Sequence, residues 1–217
     1  MKKRIFAKGY CFPKIFIFFV IGCVIGTYYE ELLYFIKTGT YSSRQGLFYG
    51  PFSPIYGFGV AIFILFLGKN NDKRSILKTF LYACLIGGLT EYLVGFISEF
   101  FFDIKFWDYS KHFLNINGRT TIPFILGWGI LGTVLVKWIY PFLSKWIEKI
   151  PYLIGKIIYI TLLVFISLDM LITYTAFGRM ALRHQGKNPI TFIGKFYDKV
   201  YDDEFMYKRY PAMRVDD

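Results

Sequence analysis

The chain has 217 residues, 55% of them hydrophobic and 22% aromatic, and its mean hydropathy of +0.41 is too high for an ordinary soluble domain. A net charge of +11 would suit nucleic acid in a soluble protein. Here the basic residues sit at the ends of apolar runs, as membrane flanks do, and no basic stripe with a nucleic-acid reader motif is present. The composition predicts an all-α fold, a polytopic membrane bundle of about five helices whose first partners are membrane lipids.

The first span runs from about Ile15 to Ile36, behind a basic start with Lys2, Lys3, Arg4, Lys8 and Lys14. That start resembles a signal peptide. No ordinary small-x-small cleavage site follows, and the apolar run continues to Glu30 and Glu31, so an uncleaved span is expected. Processing at Cys23 in the lipoprotein manner is the alternative. Gly22, Gly26 and Glu30 are four apart and share a helix face, with the small-residue spacing of close helix packing.

The second span is apolar only from Ile55 to Leu67, and reaches bilayer length only by including Gly50-Pro51-Phe52-Ser53-Pro54. Two prolines in five residues predict a broken or re-entrant start. Such backbone survives at membrane depth only when buried in protein or lining a cavity.

The third span, Leu77 to Phe102, carries Glu91 near its middle, on a stripe with Cys84, Gly88, Gly95 and Ser98. A carboxylate at that depth is costly and marks a functional site by default. The loop that follows is rich in polar groups: Trp107, Asp108 and Tyr109, then Asn115, Asn117, Gly118 and Arg119. The aromatic residues fit an interfacial belt, and the Asn/Gly/Arg group reads as a hydrogen-bonded turn that places the Arg.

The fourth span runs from Ile122 to Tyr140 and the fifth from Leu153 to Phe177, with Asp169 and Thr173 on one side of the fifth. This divides the chain into a transmembrane helical domain, 1–177, and a tail, 178–217, with a short amphipathic helix around Phe196, Val200 and Tyr201. That helix would lie on the membrane surface or on the protein itself. Lys and Arg cluster before the first span and in the second and fourth loops, which predicts a cytoplasmic N-terminus. Arg179, Arg183 and Lys187, just after the fifth span, argue the other way for the tail.

In this topology Glu30, Glu31, Glu91, Arg119 and Asp169 converge on the outer half of the bundle. An Arg in low dielectric cannot shed its proton and is held by carboxylates, so Arg119 is expected to pair with Glu91 or Glu30. Three cysteines and two histidines match no disulfide framework and no metal set, and no internal repeat stands out. HExxH, a nucleophile elbow and a phosphate loop are all missing from the sequence. No cofactor or metal is therefore expected, and any ATPase would be a separate chain.

The run Gly50-Pro51-Phe52-Ser53-Pro54-Ile55-Tyr56-Gly57-Phe58-Gly59 resembles the signature of a small bacterial membrane protein family that carries the name ABC transporter permease. Further matches are Gly26 with Glu30, Glu91-Tyr92, Trp107-Asp108-Tyr109-Ser110, Asn117-Gly118-Arg119 and Trp128-Gly129. The resemblance covers about Ile15 to Tyr140. Thr27 stands where the family often has Trp, and Ser53 where it often has Cys, which argues against a thiol-dependent role. The resemblance implies a multi-pass protein of the bacterial plasma membrane and a transport component, working as a homodimer or with partner subunits that include an ATPase. Two other functions fit the residues: a non-catalytic scaffold, and a membrane enzyme acting on lipid-linked substrates at the outer leaflet, with Asp108, Glu91 or His112 as acid/base groups.

Overall fold

The computed structural model describes residues 4–102, 104–211 and 213–215. Lys2 and Lys3 of the basic N-terminal cluster lie outside these. The fold is an all-α bundle with only two-residue strands. Its helices are α1 (Phe12–Thr38), α2 (Pro54–Gly68), α3 (Ile76–Phe102), α4 (Ile122–Ile147) and α5 (Tyr152–His184), followed by two short ones, α6 (Phe192–Val200) and α7 (Asp203–Arg209). α1, α3, α4 and α5 are each long and apolar enough to cross a bilayer; α2 is shorter.

Side-chain and backbone contacts sort the loops into two ends. At one end Ile5 bridges Pro151, Lys14 pairs with Glu148 at 2.5 Å, and Asn71 donates to the Val136 carbonyl at 2.6 Å. At the other, Tyr210 donates to the Gly46 carbonyl at 3.3 Å, and β1 (Ile104–Lys105) pairs antiparallel with β4 (Arg214–Val215). The N-terminus and the second and fourth loops therefore share one end. The first and third loops share the other with the tail, and all five helices run from end to end.

α2 manages this crossing although its regular helix has ten residues and the π turn after it five. At ~1.5 Å per residue that falls well short of a ~30 Å hydrocarbon core. The missing depth is supplied by the irregular segment before it, in which Leu47, Phe48 and Ser53 are buried. Its amides are satisfied by protein: Phe48 N–H donates to Thr173 Oγ1 at 3.1 Å, Tyr49 N–H to Asp169 Oδ2 at 3.1 Å, and Ser53 N–H to the Cys23 carbonyl at 3.1 Å. Pro54 then opens the helix where its lack of an N–H does no harm. The broken start expected from the two prolines is what the chain forms.

One expectation needs correcting: the chain does contain an internal repeat. The α1–α2 and α3–α4 hairpins make the same contacts. Phe19-x3-Cys23-x2-Gly26-x3-Glu30 in α1 has the same spacing as Phe80-x3-Cys84-x2-Gly87-x3-Glu91 in α3. Gly57 of α2 sits so close to Cys23 and Phe19 that a Cβ would meet the Cys sulfur at 2.3 Å; Gly129 of α4 does the same against Cys84 and Phe80, also at 2.3 Å. A Cβ on Gly26 would strike Tyr56 at 2.2 Å, and one on Gly87 would strike Trp128 at 2.3 Å. α2 and α4 each pass into a π turn after the crossing, at Ile64–Gly68 and Leu135–Ile139. The repeat escapes notice in the sequence because the identities between α1 and α3 are scattered and the two hairpins have loops of different length.

Candidate functional site

The polar groups at depth fall into three sets with different partners. The first spans both hairpins. Glu91 is 6% exposed and accepts from Thr120 Oγ1 at 2.5 Å and from the Tyr109 hydroxyl at 3.3 Å, and the Trp128 side chain lies beside it. In the other hairpin Glu30, half-buried, lies beside the Tyr56 side chain. Glu30–Tyr56 and Glu91–Trp128 are thus the same arrangement twice: an acid four residues after the glycine that seats the neighbouring helix's aromatic ring. The rings meet between the hairpins with centroids 6.1 Å apart. Burial, then the proximity of Glu91, holds the Tyr109 phenol above its ordinary range, so it remains an O–H donor. Among the described residues neither acid forms an ion pair.

The second set holds Arg119, and here the structure differs from the expected pairing. Arg119 binds Glu99, with Nε at 3.0 Å and Nη2 at 2.5 Å, rather than Glu91 or Glu30. Its backbone crosses α3 at Gly95, where a Cβ would lie 3.3 Å from the Arg119 Cβ. From there the long side chain extends outward to Glu99, where both partners keep some contact with solvent. An ion pair is cheaper to desolvate there than beside Glu91. Tyr92 accepts from Arg119 Nη1 at 3.3 Å and from Asn117 Nδ2 at 2.9 Å, and the guanidinium lies 5.4 Å from the centroids of Tyr92 and Phe96. Glu99 had no special mark in the sequence beyond its place at the outer end of the third span.

The loop before α4 explains how these groups are placed. β2 (Asn115–Ile116) and β3 (Thr120–Thr121) form a small hairpin. Its turn is closed by Arg119 N–H to the Ile116 carbonyl at 3.0 Å, with Asn117 and Gly118 both in the left-handed region. That is the Asn-Gly chemistry of a tight reversed turn. Trp107 Nε1 donates to the Arg119 carbonyl at 2.9 Å, and Asp108 accepts from Ser110 N–H at 2.8 Å. Turn and strand together aim Arg119 outward and the neighbouring Thr120 inward, onto Glu91. His112 is exposed and stacks edge-on against Tyr109, 5.4 Å between centroids.

The third set is the clamp at the first loop. Asp169, 2% exposed, and Thr173 hold the amides of Tyr49 and Phe48 as described above, with Thr173 Oγ1 donating to Asp169 at 3.2 Å. Glu31, also buried, accepts from the Tyr41 hydroxyl at 3.2 Å and from Arg44 N–H at 3.3 Å. Asp169 and Glu31 therefore brace the backbone around Gly50, Pro51 and Pro54. The structure brings Glu30, Tyr56, Trp128 and Glu91 together, and keeps Glu31, Asp169 and Arg119 with partners of their own.

A groove of about 220 Å³ lies beside the first set, between α1, α2 and α4. Tyr29, Tyr56 and Trp128 line it together with Ile25, Val60 and Leu131. The equivalent place in the repeat, between α3, α4 and α2, is closed to about 10 Å³, with Gly87, Thr90, Glu91 and Trp128 in its wall.

Among known proteins, a family model described as "Putative ABC-transporter type IV" matches residues 17–174, which is most of the chain and includes both hairpins. No curated protein and no solved structure matches.

Proposed function

The chain belongs to this transporter family, and on that premise we propose that it is the membrane component of a bacterial plasma-membrane transporter that works with a separate ATPase. The observation that carries the reading is the doubled acid–aromatic device at the seam between the hairpins. Two carboxyl groups without ion-pair partners among the described residues are held at depth, and acids so placed mark substrate or ion paths. Glu30 and Glu91 are the residues of that path, with Tyr56, Trp128, Tyr109 and Thr120 holding them. Glu31, Asp169 and the Arg119–Glu99 pair serve the same path by fixing its outer rim.

In this proposal the N-terminus is cytoplasmic. The end that holds it also carries Lys69, Lys73, Arg74, Lys145 and Lys149. At the opposite end, two of the three cations that argued for a cytoplasmic tail, Arg179 and Arg183, are paired. Arg179 binds Asp198 at 2.6 Å, and Arg183 binds Asp198 at 2.8 Å and Asp203 at 2.5 Å. Helix α6 lies in the outer interface: Phe192, Ile193 and Phe196 are exposed on one face, with Lys195 and Lys199 beside them.

The test is purification of the intact chain from its native membrane after mild cross-linking, followed by an ATP-hydrolysis assay and a Glu91→Gln comparison. A co-purifying ATPase whose coupled activity falls in Glu91→Gln supports the proposal. Isolation without any ATP-hydrolysing subunit, or full coupled activity in both Glu91→Gln and Glu30→Gln, would sink it.

A further inference from the structure

The long helix α5 sets the depth of α6. Between Lys156 and Arg179, α5 carries one charged residue, the buried Asp169. At ~1.5 Å per residue the 157–178 stretch is roughly 33 Å long, the thickness of a hydrocarbon core. Arg179 and Arg183 therefore emerge at the membrane surface, and both bind Asp198 of α6, at 2.6 Å and 2.8 Å. These pairs pin α6 at the level of the lipid headgroups. At helical spacing its residues sort into three faces. Gly194, Tyr197 and Asp198 share the face turned to the protein: Gly194 is buried, and Tyr197 packs on the cluster around Phe48 and Tyr201. Phe192, Ile193, Phe196 and Val200 form a second face and are 84, 63, 49 and 42% exposed. Lys195 and Lys199, both exposed, run along the edge of that apolar face.

We propose that the apolar face and its lysine edge form a binding surface for anionic phospholipid. Phe192, Ile193, Phe196 and Val200 sit among the upper acyl chains, and Lys195 and Lys199 meet the headgroup phosphates. Docking on the protein, the other fate open to an amphipathic helix, is already met by the first face, which leaves the apolar one to the bilayer beside it. An apolar face with lysines along its margin, held at the membrane surface, is what interfacial binding requires. Charge selects the lipid. Asp198 is the one acid on α6 and is taken up by two arginines, so the helix presents its lysines without a competing carboxylate of its own. Cations so placed favour anionic over zwitterionic headgroups. A soluble protein would have to reach this face through the headgroup layer. The inference rests on the reading of the chain as a membrane component and adds a lipid class to it; it makes no use of the ATPase.

The experiment uses the full chain in nanodiscs of equal parts phosphatidylglycerol and phosphatidylcholine. In one preparation the phosphatidylglycerol carries a diazirine near the carboxyl end of an acyl chain, and in the other the phosphatidylcholine does. After illumination, mass spectrometry maps the lipid adducts. Residues 192–200 are expected to take about fivefold more adduct from phosphatidylglycerol than from phosphatidylcholine. The double variant Lys195→Glu, Lys199→Glu brings the two lipids to parity. Leu85 and Leu89, exposed on α3, give the internal standard for lipid labelling and for the folding of the variant. Equal labelling of α6 by both lipids in the parent, or a preference that survives the double variant, overturns the inference. So does a face covered by a second copy or another protein, which leaves α6 without adduct while α3 is labelled normally. No outcome on α6 depends on ATP hydrolysis, so its failure leaves the ATPase proposal standing, whereas an unlabelled α3 would remove the membrane reading on which both rest.

Discussion

The two hairpins are built on one plan and differ in how the acid at their centre is covered. Glu91 is sealed: Thr120 and Tyr109 from the third loop close over it, and the space beside it is nearly filled. Glu30 has Tyr56 but no such loop above it, and its side of the seam opens into the groove. Helix packing alone is alike in both, so the difference comes from the loops. The α3–α4 loop folds inward as a β-hairpin, whereas the α1–α2 loop is drawn aside onto α5 by Asp169 and Thr173. Each hairpin carries one acid, and of the two only Glu91 is covered by a loop.

The largest expected effect tests the shared plan. Gly26→Val and Gly87→Val each place a side chain into the ring of Tyr56 or Trp128 and should each destabilise by roughly 2 to 3 kcal/mol. Thermal unfolding in detergent measures both, and a neutral result at either glycine would break the equivalence. Thr120→Val tests the asymmetry. It removes the shortest hydrogen bond to a buried carboxyl and should cost about 1 to 2 kcal/mol. It also leaves one Glu91 oxygen open to water, which solvent-exchange measurements on α3 would reveal; an unchanged exchange pattern would show that the loop is not the seal. Arg119→Ala breaks a partly exposed pair with Glu99 and should cost about 1 kcal/mol or less. If it instead destabilises as strongly as Thr120→Val, the Arg turn and not Thr120 is what holds the loop over Glu91.

The smallest effect concerns the tail, which docks on the first hairpin's loop. Phe48 stacks on Tyr201 at 4.7 Å, and Tyr49 and Tyr201 share a hydrogen bond at 3.2 Å. Arg179, then Arg183, holds the Asp198 carboxyl below its ordinary value. Its stabilising contribution is therefore complete above the unfolded carboxylate value of about 3.9, and is lost as pH falls through the lower folded value. Hydrogen exchange should show α6 and the first loop loosening as pH falls below the ordinary carboxylate range, while the Asn115–Thr121 hairpin at the second acid stays protected. Loosening of both loops together would tie the tail to the whole outer rim.

The legible part of this protein followed from periodicity and cost. Apolar length predicted the long helices, two prolines predicted the irregular start of α2, and the Asn-Gly pair predicted a turn before Arg119. The acids could be singled out because a carboxylate in a span is expensive. Their partners could not. Arg119 had two candidate carboxylates in a linear reading, Glu91 and Glu30, and only the crossing of the chain over Gly95 directs its side chain toward Glu99. Trp128 and Tyr56 look like ordinary apolar or interfacial aromatics until Gly87 and Gly26 are seen to seat them. Thr120 is one threonine among several.

The sequence by itself determined that this chain is a membrane helix bundle with acids at depth, because hydropathy and charge act residue by residue and need no knowledge of neighbours. Only the tertiary structure decided that Glu30 and Glu91 are counterparts, that a loop covers Glu91 and not Glu30, and that Arg119 belongs to neither. Those outcomes depend on which surfaces meet across long sequence separations. Contact distances of a few ångströms, set by glycines and loops, are what separate a buried clamp from an open site.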